Sequence, residues 1–239
     1  MTELLSYKDS YIKEFEAEII EVIGNGVVLD KTAFYPGGGG QPYDTGKLSI
    51  GEYLWEVVRI VRLKGKIVHE ILNRVSDISD LSGTVRGAID WDKRYKLMRT
   101  HTALHILCGV VWRDYGAHVT GGDMKPLAAR MDFELESMSS SFAEEIEKKI
   151  NDEVASSRPI YVKNMLREQA FTIPDLIRTK INLLPENIRE VRVIDIDGLD
   201  MQADGGTHVA NTKEVGRINV IGHESKGRIN KRLKIEIEP

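Results

Sequence analysis

The chain has 239 residues, 41% of them hydrophobic and 29% charged, a balance that excludes a disordered or fibrous protein and allows one or two domains. A net charge of −4 and a pI near 5.9 exclude a protein that coats DNA or RNA through bulk positive charge. No apolar run approaches the roughly 18 residues of a membrane span, residues 1–5 lack the features of a signal peptide, and the single Cys108 excludes an internal disulfide framework. The expectation is a soluble, cytoplasmic protein with no membrane partner.

In chain order, residues 14–88 read as strands and turns. Strands expected over 18–22 and 27–29 flank Gly24-Asn25-Gly26, and strands over 54–63 and 67–72 flank Lys64-Gly65-Lys66; both are hairpin signals, because Asn and Gly tolerate positive φ. Short strands at this spacing predict a small barrel or sandwich. Residues 77–83 are polar and turn-rich, and the chain is expected to divide into a β-barrel-like domain at 1–88 and a second domain at 89–239.

The second domain opens with a helix that Asp90 or Asp92 can cap. Another helix is expected from Ser141, with Glu144 completing a capping box and Phe142, Ile146, Ile150 and Val154 on one face. Leu184-Pro185-Glu186 should turn the chain into a half-buried strand over 191–196, and later strands are expected over 218–222 and 233–237. The fold class is α+β, with helices on a largely antiparallel sheet.

The segment from Lys31 to Pro42 carries Gly37, Gly38, Gly39 and Gly40 between Phe34-Tyr35-Pro36 and Gln41. Four glycines alone suit a flexible linker, but stiff aromatic flanks suit a fixed turn whose backbone a ligand approaches closely; both readings stand. The basic clusters Lys93, Arg94, Lys96, Arg99 and Arg217, Lys226, Arg228, Lys231, Arg232, Lys234 read as solvated faces or as contacts with a small RNA surface.

His101 and His105 lie four apart on a helix, so both imidazoles share a face and can share an ion. Downstream, Asp204-Gly205-Gly206-Thr207-His208 brackets two glycines with a carboxylate and an imidazole. His101, His105, Asp204 and His208 together offer three nitrogens and one oxygen, a set suited to tetrahedral Zn2+ at about 2.0–2.2 Å. In a second reading only the histidines bind the ion, and Asp204 orients a ligand or a water. Cys108 lies seven residues from His101, a rise of about 10 Å, and reads as a small buried hydrophobe. His69, His118 and His223 read as structural or surface residues.

Taken in order, Thr32-Ala33-Phe34-Tyr35-Pro36 with Gly38-Gly39-Gly40-Gln41, Asp44-Thr45-Gly46, the stretch 99–107 around His101 and His105, Arg130-Met131-Asp132-Phe133 and Gly205-Gly206-Thr207-His208-Val209 resemble the editing region of alanyl-tRNA synthetase. They equally resemble its free-standing relatives, the AlaX alanyl-tRNA editing proteins. The resemblance spans nearly the whole chain. It implies a barrel-like domain carrying the glycine-rich motif, a zinc-binding editing domain, and hydrolysis of the ester that links a wrong amino acid, chiefly serine and secondarily glycine, to the acceptor end of tRNA(Ala). It supports the segment with Gly38, Gly39, Gly40 and Gln41 as a substrate contact. Thr32, whose hydroxyl donates and accepts beside that turn, is the expected discriminator of serine, and Arg99, with Lys93 and the basic C-terminal stretch, is expected at acceptor-stem phosphates. Two positions depart from the family pattern. Asp204 stands where the family has cysteine, and this harder ligand admits Mn2+ or Fe2+ beside Zn2+; Leu104 stands where synthetases often have threonine.

With no serine or cysteine nucleophile beside a base, water positioned by the ion is the expected nucleophile, and the N–H groups of Gly205 and Gly206 the oxyanion donors. Two further readings are a metal-dependent hydrolase of a small ester or amide, which tRNA would not inhibit, and a tRNA-binding module without turnover.

Overall fold

A computed structural model describes residues 2–72, 81–179 and 188–239. The turn expected at 184–186, and most of the one at 77–83, lie outside the described residues. Two compact units, Met1–Tyr95 and Lys96–Pro239, divide the chain inside the first helix.

The first unit contains β1 (Glu3–Leu4), β2 (Glu14–Ile23), β3 (Gly26–Leu29), β4 (Lys31–Thr32), β5 (Gly46–Ile50), β6 (Tyr53–Leu63), β7 (Lys66–Leu72) and β8 (Gly83–Ile89). Strands β2, β3, β7, β6, β5 and β8 close a barrel in that order, while β1 and β4 form a short parallel pair. Closure leaves the six strands no open edge. In β2, Phe15 and Ala17 point inward and Glu14, Glu16 and Glu18 outward, the period-2 pattern of a strand with one wet face. Phe34, Leu48, Trp55, Val57, Ile71 and Val85 fill the interior.

Both expected hairpins form. Ile23 pairs with Gly26, and only Gly24 of the intervening pair takes positive φ, at 59°. Leu63 pairs with Lys66 across Lys64 and Gly65, both at positive φ, as a twist-matched two-residue turn requires. The glycine run is a turn rather than a linker. Gly38 and Gln41 exchange backbone hydrogen bonds of 3.1 and 2.9 Å, the Tyr35 hydroxyl donates to the Gly38 carbonyl at 2.9 Å, and all four glycines sit at positive φ.

What holds this segment is Arg94, which is fully buried. Its Nε lies 3.1 and 3.0 Å from the two carboxylate oxygens of Asp44, and its other nitrogens donate to the carbonyls of Ser10 at 2.9 Å and Ala33 at 2.7 Å. Asp44 also accepts the Tyr35 N–H at 2.6 Å. The RNA-contact reading of this cluster therefore fails at Arg94, a buried clamp that cannot reach a phosphate. His69 on β7 is likewise buried. Its Nδ1 lies 3.2 Å from the Val27 carbonyl, which only accepts, so the proton sits on Nδ1; bare Nε2 then accepts the Thr32 hydroxyl at 2.9 Å. Burial pushes the ring's pKa down to about 4.

Helix α1 runs from Trp91 to Tyr115, its first turn in the first unit and its remainder, from Lys96, in the second. Of the two candidate caps the structure uses Asp90, whose Oδ1 accepts the Lys93 N–H at 3.2 Å. From Thr100 to Val111 every residue is buried, as in a helix enclosed on all sides. There follow β9 (Val119–Lys125), β10 (Ala128–Phe133), α2 (Ser140–Ala155), β11 (Ile160–Leu166), the single-turn α3 (Arg167–Ala170), β12 (Glu190–Ile196), β13 (Asp200–Ala203), β14 (Ile218–Gly227) and β15 (Asn230–Ile237). They form antiparallel sheets in the orders β14-β15-β10-β9 and β11-β12-β13, the expected α+β class.

Two local expectations change. Helix α2 starts at Ser140, and its cap is Ser139, whose hydroxyl accepts the Phe142 N–H at 3.1 Å; three consecutive serines suit the position, and the first takes it. Strand β12 is the middle strand of its sheet and is buried on both faces after Glu190. Its alternating charges are matched by partners: Arg192 donates to the Asp204 carbonyl at 3.0 Å, and Asp195 pairs with the exposed Lys163 at 2.5 Å.

Removing the Arg94 charge strands Asp44 in the interior. Arg94→Met should therefore cost about 3–5 kcal/mol, read as a fall in the urea midpoint; a loss below about 1 kcal/mol would contradict the clamp. His69 is neutral in the fold and basic when unfolded, so the unfolded chain binds the extra proton between pH 6.5 and about 4. Stability should fall across that window as pH drops, by about 3 kcal/mol at its lower end, and His69→Gln should flatten this part of the profile.

Candidate metal centre

His101 and His105 project from one face of α1, and Asp204 and His208 from the loop after β13. The prospective ligand atoms of all four lie within 4.8 Å of one another, and the imidazole centroids are separated by 4.3 Å (His101–His208), 4.6 Å (His105–His208) and 5.2 Å (His101–His105). Ligand atoms on a tetrahedral ion stand about 3.3 Å apart at bond lengths near 2.0–2.1 Å, so a small contraction closes this set on one cation. Three buried imidazoles and a partly buried carboxylate fit a first-row divalent ion.

The loop is held from two sides. Asp204 exchanges backbone contacts with Arg192, its N–H donating to the Arg192 carbonyl at 3.1 Å while the Arg192 guanidinium donates to its own carbonyl. Thr102, one residue beyond His101, takes the Val209 N–H at 3.3 Å and meets His208 Nδ1 at 3.1 Å. Because a hydroxyl both donates and accepts, Thr102 serves either tautomer of His208. Asp204 Oδ2 lies 3.1 Å from His208 Nε2, and its Oδ1 lies 3.6 Å from His101 Nε2.

Burial, partly opposed by Asp204, lowers the His101 pKa to about 4; burial and the neighbouring His101 hold His208 well below its usual value. Burial alone would raise Asp204, but the three imidazoles facing it hold its carboxyl well below the ordinary range. At pH 7 this part of the cluster is a carboxylate among neutral rings, the protonation state a cation requires. His105 differs: burial opposes its charge, yet the hydrogen bond and charge of Asp200, 3.1 Å from Nδ1, raise its pKa.

Other sequence-derived candidates are placed as follows. Cys108 is buried and outside the donor group, its thiol pushed up by burial. The Gly206 N–H already donates to Asp204 Oδ2 at 2.6 Å, which removes it as an oxyanion donor, whereas the Gly205 N–H has no such partner among the described residues. Arg99 donates to the carbonyls of Val215 at 3.0 Å and of Glu238. Gly38, Gly39 and Gly40 are exposed and Gln41 buried. Thr32 is buried; besides bonding His69, its oxygen accepts the Phe34 N–H at 3.2 Å. Of the basic C-terminal residues, Arg217, Lys226, Arg232 and Lys234 pair with carboxylates, and Lys231 binds the carbonyls of Gly227 and Arg228. That stretch is largely neutralised from within.

Sequence reasoning passed over Thr102, Arg192 and Asp200. Thr102 was legible as a polar residue in an apolar helix flanked by ligand candidates, and Arg192 and Asp200 gave no signal before the strands were paired.

Residues 5–93 match the family model of class II tRNA synthetases (A), and residues 191–234 match that of the threonyl and alanyl tRNA synthetase second additional domain. The chain is 40% identical to the alanyl-tRNA editing protein AlaX-M of Saccharolobus solfataricus over 100% of both chains, and 39% identical to that of Methanosarcina barkeri over 98% of both. It is also 38% identical to the alanine–tRNA ligase of Methanococcus maripaludis, over 93% of this chain and 24% of the ligase. Identity along the full length, with both family models in their proper order, places the chain in the AlaX-M family of alanyl-tRNA editing proteins.

Proposed function

We propose that the chain is a trans-editing deacylase that hydrolyses the ester of mischarged tRNA(Ala), chiefly seryl-tRNA(Ala) and secondarily glycyl-tRNA(Ala). The observation that carries this is the convergence of His101, His105, Asp204 and His208 within 4.8 Å in a chain of this family. The need is physical. A synthetase pocket for alanine cannot strongly reject a smaller residue or one with an added hydroxyl, because such differences are worth only about 10–200-fold. A second site that hydrogen-bonds the seryl hydroxyl spares alanine, which would leave that site's polar group unpaired.

The four residues would hold Zn2+, or Mn2+ or Fe2+ because Asp204 is a harder ligand than the cysteine usual in the family. When bound, the ion supplies a Lewis acid for the ester carbonyl or for the attacking water. Within the chain, Arg192 and the Gly206 N–H fix Asp204, Thr102 fixes His208, and the Gly205 N–H is left to meet a developing oxyanion. The exposed turn at Gly38, Gly39 and Gly40 offers backbone to the acceptor end of the tRNA, with Gln41 at its foot.

Thr32 is assigned the seryl contact. Its proton is committed to His69 and one lone pair to the Phe34 N–H, which leaves one lone pair for a ligand. A seryl hydroxyl would donate to it; alanyl and glycyl groups have no such proton. Arg99, engaged by two carbonyls, is assigned to shaping the site rather than to phosphate contact. The cytoplasm, where charged tRNA is used, is the proposed location.

Deacylation of seryl-tRNA(Ala) should be fast beside that of alanyl-tRNA(Ala). His101→Ala or His208→Ala should lower bound metal and reduce seryl hydrolysis by at least about 100-fold, and full activity in metal-free protein would refute the metal reading. Thr32→Val should reduce the seryl-over-alanyl preference by about tenfold, the worth of one neutral hydrogen bond; an unchanged ratio of kcat/KM would move the discriminator elsewhere.

A further inference from the structure

Asp200 on β13 is a buried acid that makes incomplete use of its oxygens. Oδ2 accepts from His105 Nδ1 at 3.1 Å and from Gln202 Nε2 at 2.7 Å. Oδ1 has no hydrogen-bond partner among the described residues; the nearest cation is Arg178, whose Nε is 3.5 Å away and whose Nε and one terminal nitrogen are also unsatisfied. The Arg178 guanidinium instead lies over the Trp112 ring, 4.6 Å from its centroid. A buried carboxylate and a buried guanidinium in imperfect register cost stability compared with an apolar pair of the same volume. The fold alone gives no reason for Asp200 to be acidic.

His105 gives one. A carboxylate only accepts, so the bond from Asp200 fixes the proton on His105 Nδ1 and leaves Nε2 as a bare lone pair. His208 differs: a hydroxyl, that of Thr102, stands behind its Nδ1, and its Nε2 faces the Asp204 carboxylate at 3.1 Å, so no carboxylate behind the ring fixes a proton on Nδ1. The carboxylate also places negative charge behind the ring, which strengthens donation from Nε2 to a cation.

We propose that Asp200 is the positioning residue of the metal centre: it is not a ligand, but it holds His105 in the metal-binding tautomer and orientation, with Arg178 as its buried counter-charge. The proposal rests on the reading of His101, His105, Asp204 and His208 as a metal site.

The test is Zn2+ and Co2+ affinity of the metal-stripped full-length chain, measured by competition with a chromophoric chelator. Thermal unfolding of the stripped protein is followed in parallel. Asp200→Asn should weaken both ions by about 10–100-fold and alter the visible bands of bound Co2+, while the stripped protein melts as a folded chain. Asp200→Glu, which keeps the charge, should recover part of the loss. If the single variant does not fold because Arg178 is stranded, the double variant Asp200→Asn with Arg178→Met removes both charges and should show the same weakening. Unchanged affinity in any folded variant lacking the carboxylate would overturn the role of Asp200. Failure of the unaltered chain to bind either ion would overturn the metal reading itself, and the two failures are distinct.

Discussion

The rest of the structure depends on one constraint: a helix enclosed on all sides has to satisfy every polar group it carries. Helix α1 buries Arg94, Thr100, His101, Thr102 and His105 among leucines, valines and a cysteine, and an unpaired polar group there would cost more than a packed apolar one returns. Each is therefore matched. Arg94 takes Asp44 and the carbonyls of Ser10 and Ala33, and Thr100 takes the Leu127 N–H at 2.9 Å. Thr102 takes the loop at His208 and Val209, and His105 takes Asp200. Elements distant in sequence converge on the helix because these groups demand partners.

The same logic sets the chemistry of the cluster. Burial decides the protonation of His101 and His208: removing the rings from water disfavours their charge by more than the Asp204 carboxylate restores it. Asp204 is held anionic and His101 and His208 neutral, while Asp200 pulls His105 the other way. A thiolate in its place would donate more electron density and favour soft ions; aspartate leaves a bound cation a stronger electrophile at some loss of selectivity.

Much of this was legible in the sequence. The i, i+4 histidines and the Asp-x-x-x-His segment named all four donors, and the Asn-Gly and Lys-Gly turns named two hairpins. What stayed hidden was pairing across long separations. Arg94 read as one member of an exposed basic cluster, because nothing local marks a residue whose partner is fifty positions away at Asp44. The alternating charges of β12 mimicked a half-exposed strand, because a central strand whose charges find partners on neighbouring segments has the same pattern as one with a wet face. The C-terminal lysines and arginines read as a basic surface for a related reason: Arg217 and Arg232 find carboxylates far away in sequence, Glu147 on α2 and Asp132 on β10, and one nearby acid, Glu224, serves both Lys226 and Lys234. The serine cap of α2 was misplaced by two residues because Ser139, Ser140 and Ser141 are chemically equivalent until the first turn is built.

The backbone bonds of the Asp204–His208 loop have a consequence for how the protein matures. The Val209 N–H donates to Thr102 and the Asp204 N–H to the Arg192 carbonyl, so the protein itself, and not an ion alone, positions the loop. Small zinc domains collapse without their metal because the ion is their core; here the core is Ile106, Leu107, Val110, Val111 and the sheets around them. A cation would be added to a finished fold, leaving a chain that survives chelation and can be reloaded, with its choice of ion following cellular supply rather than the order of folding.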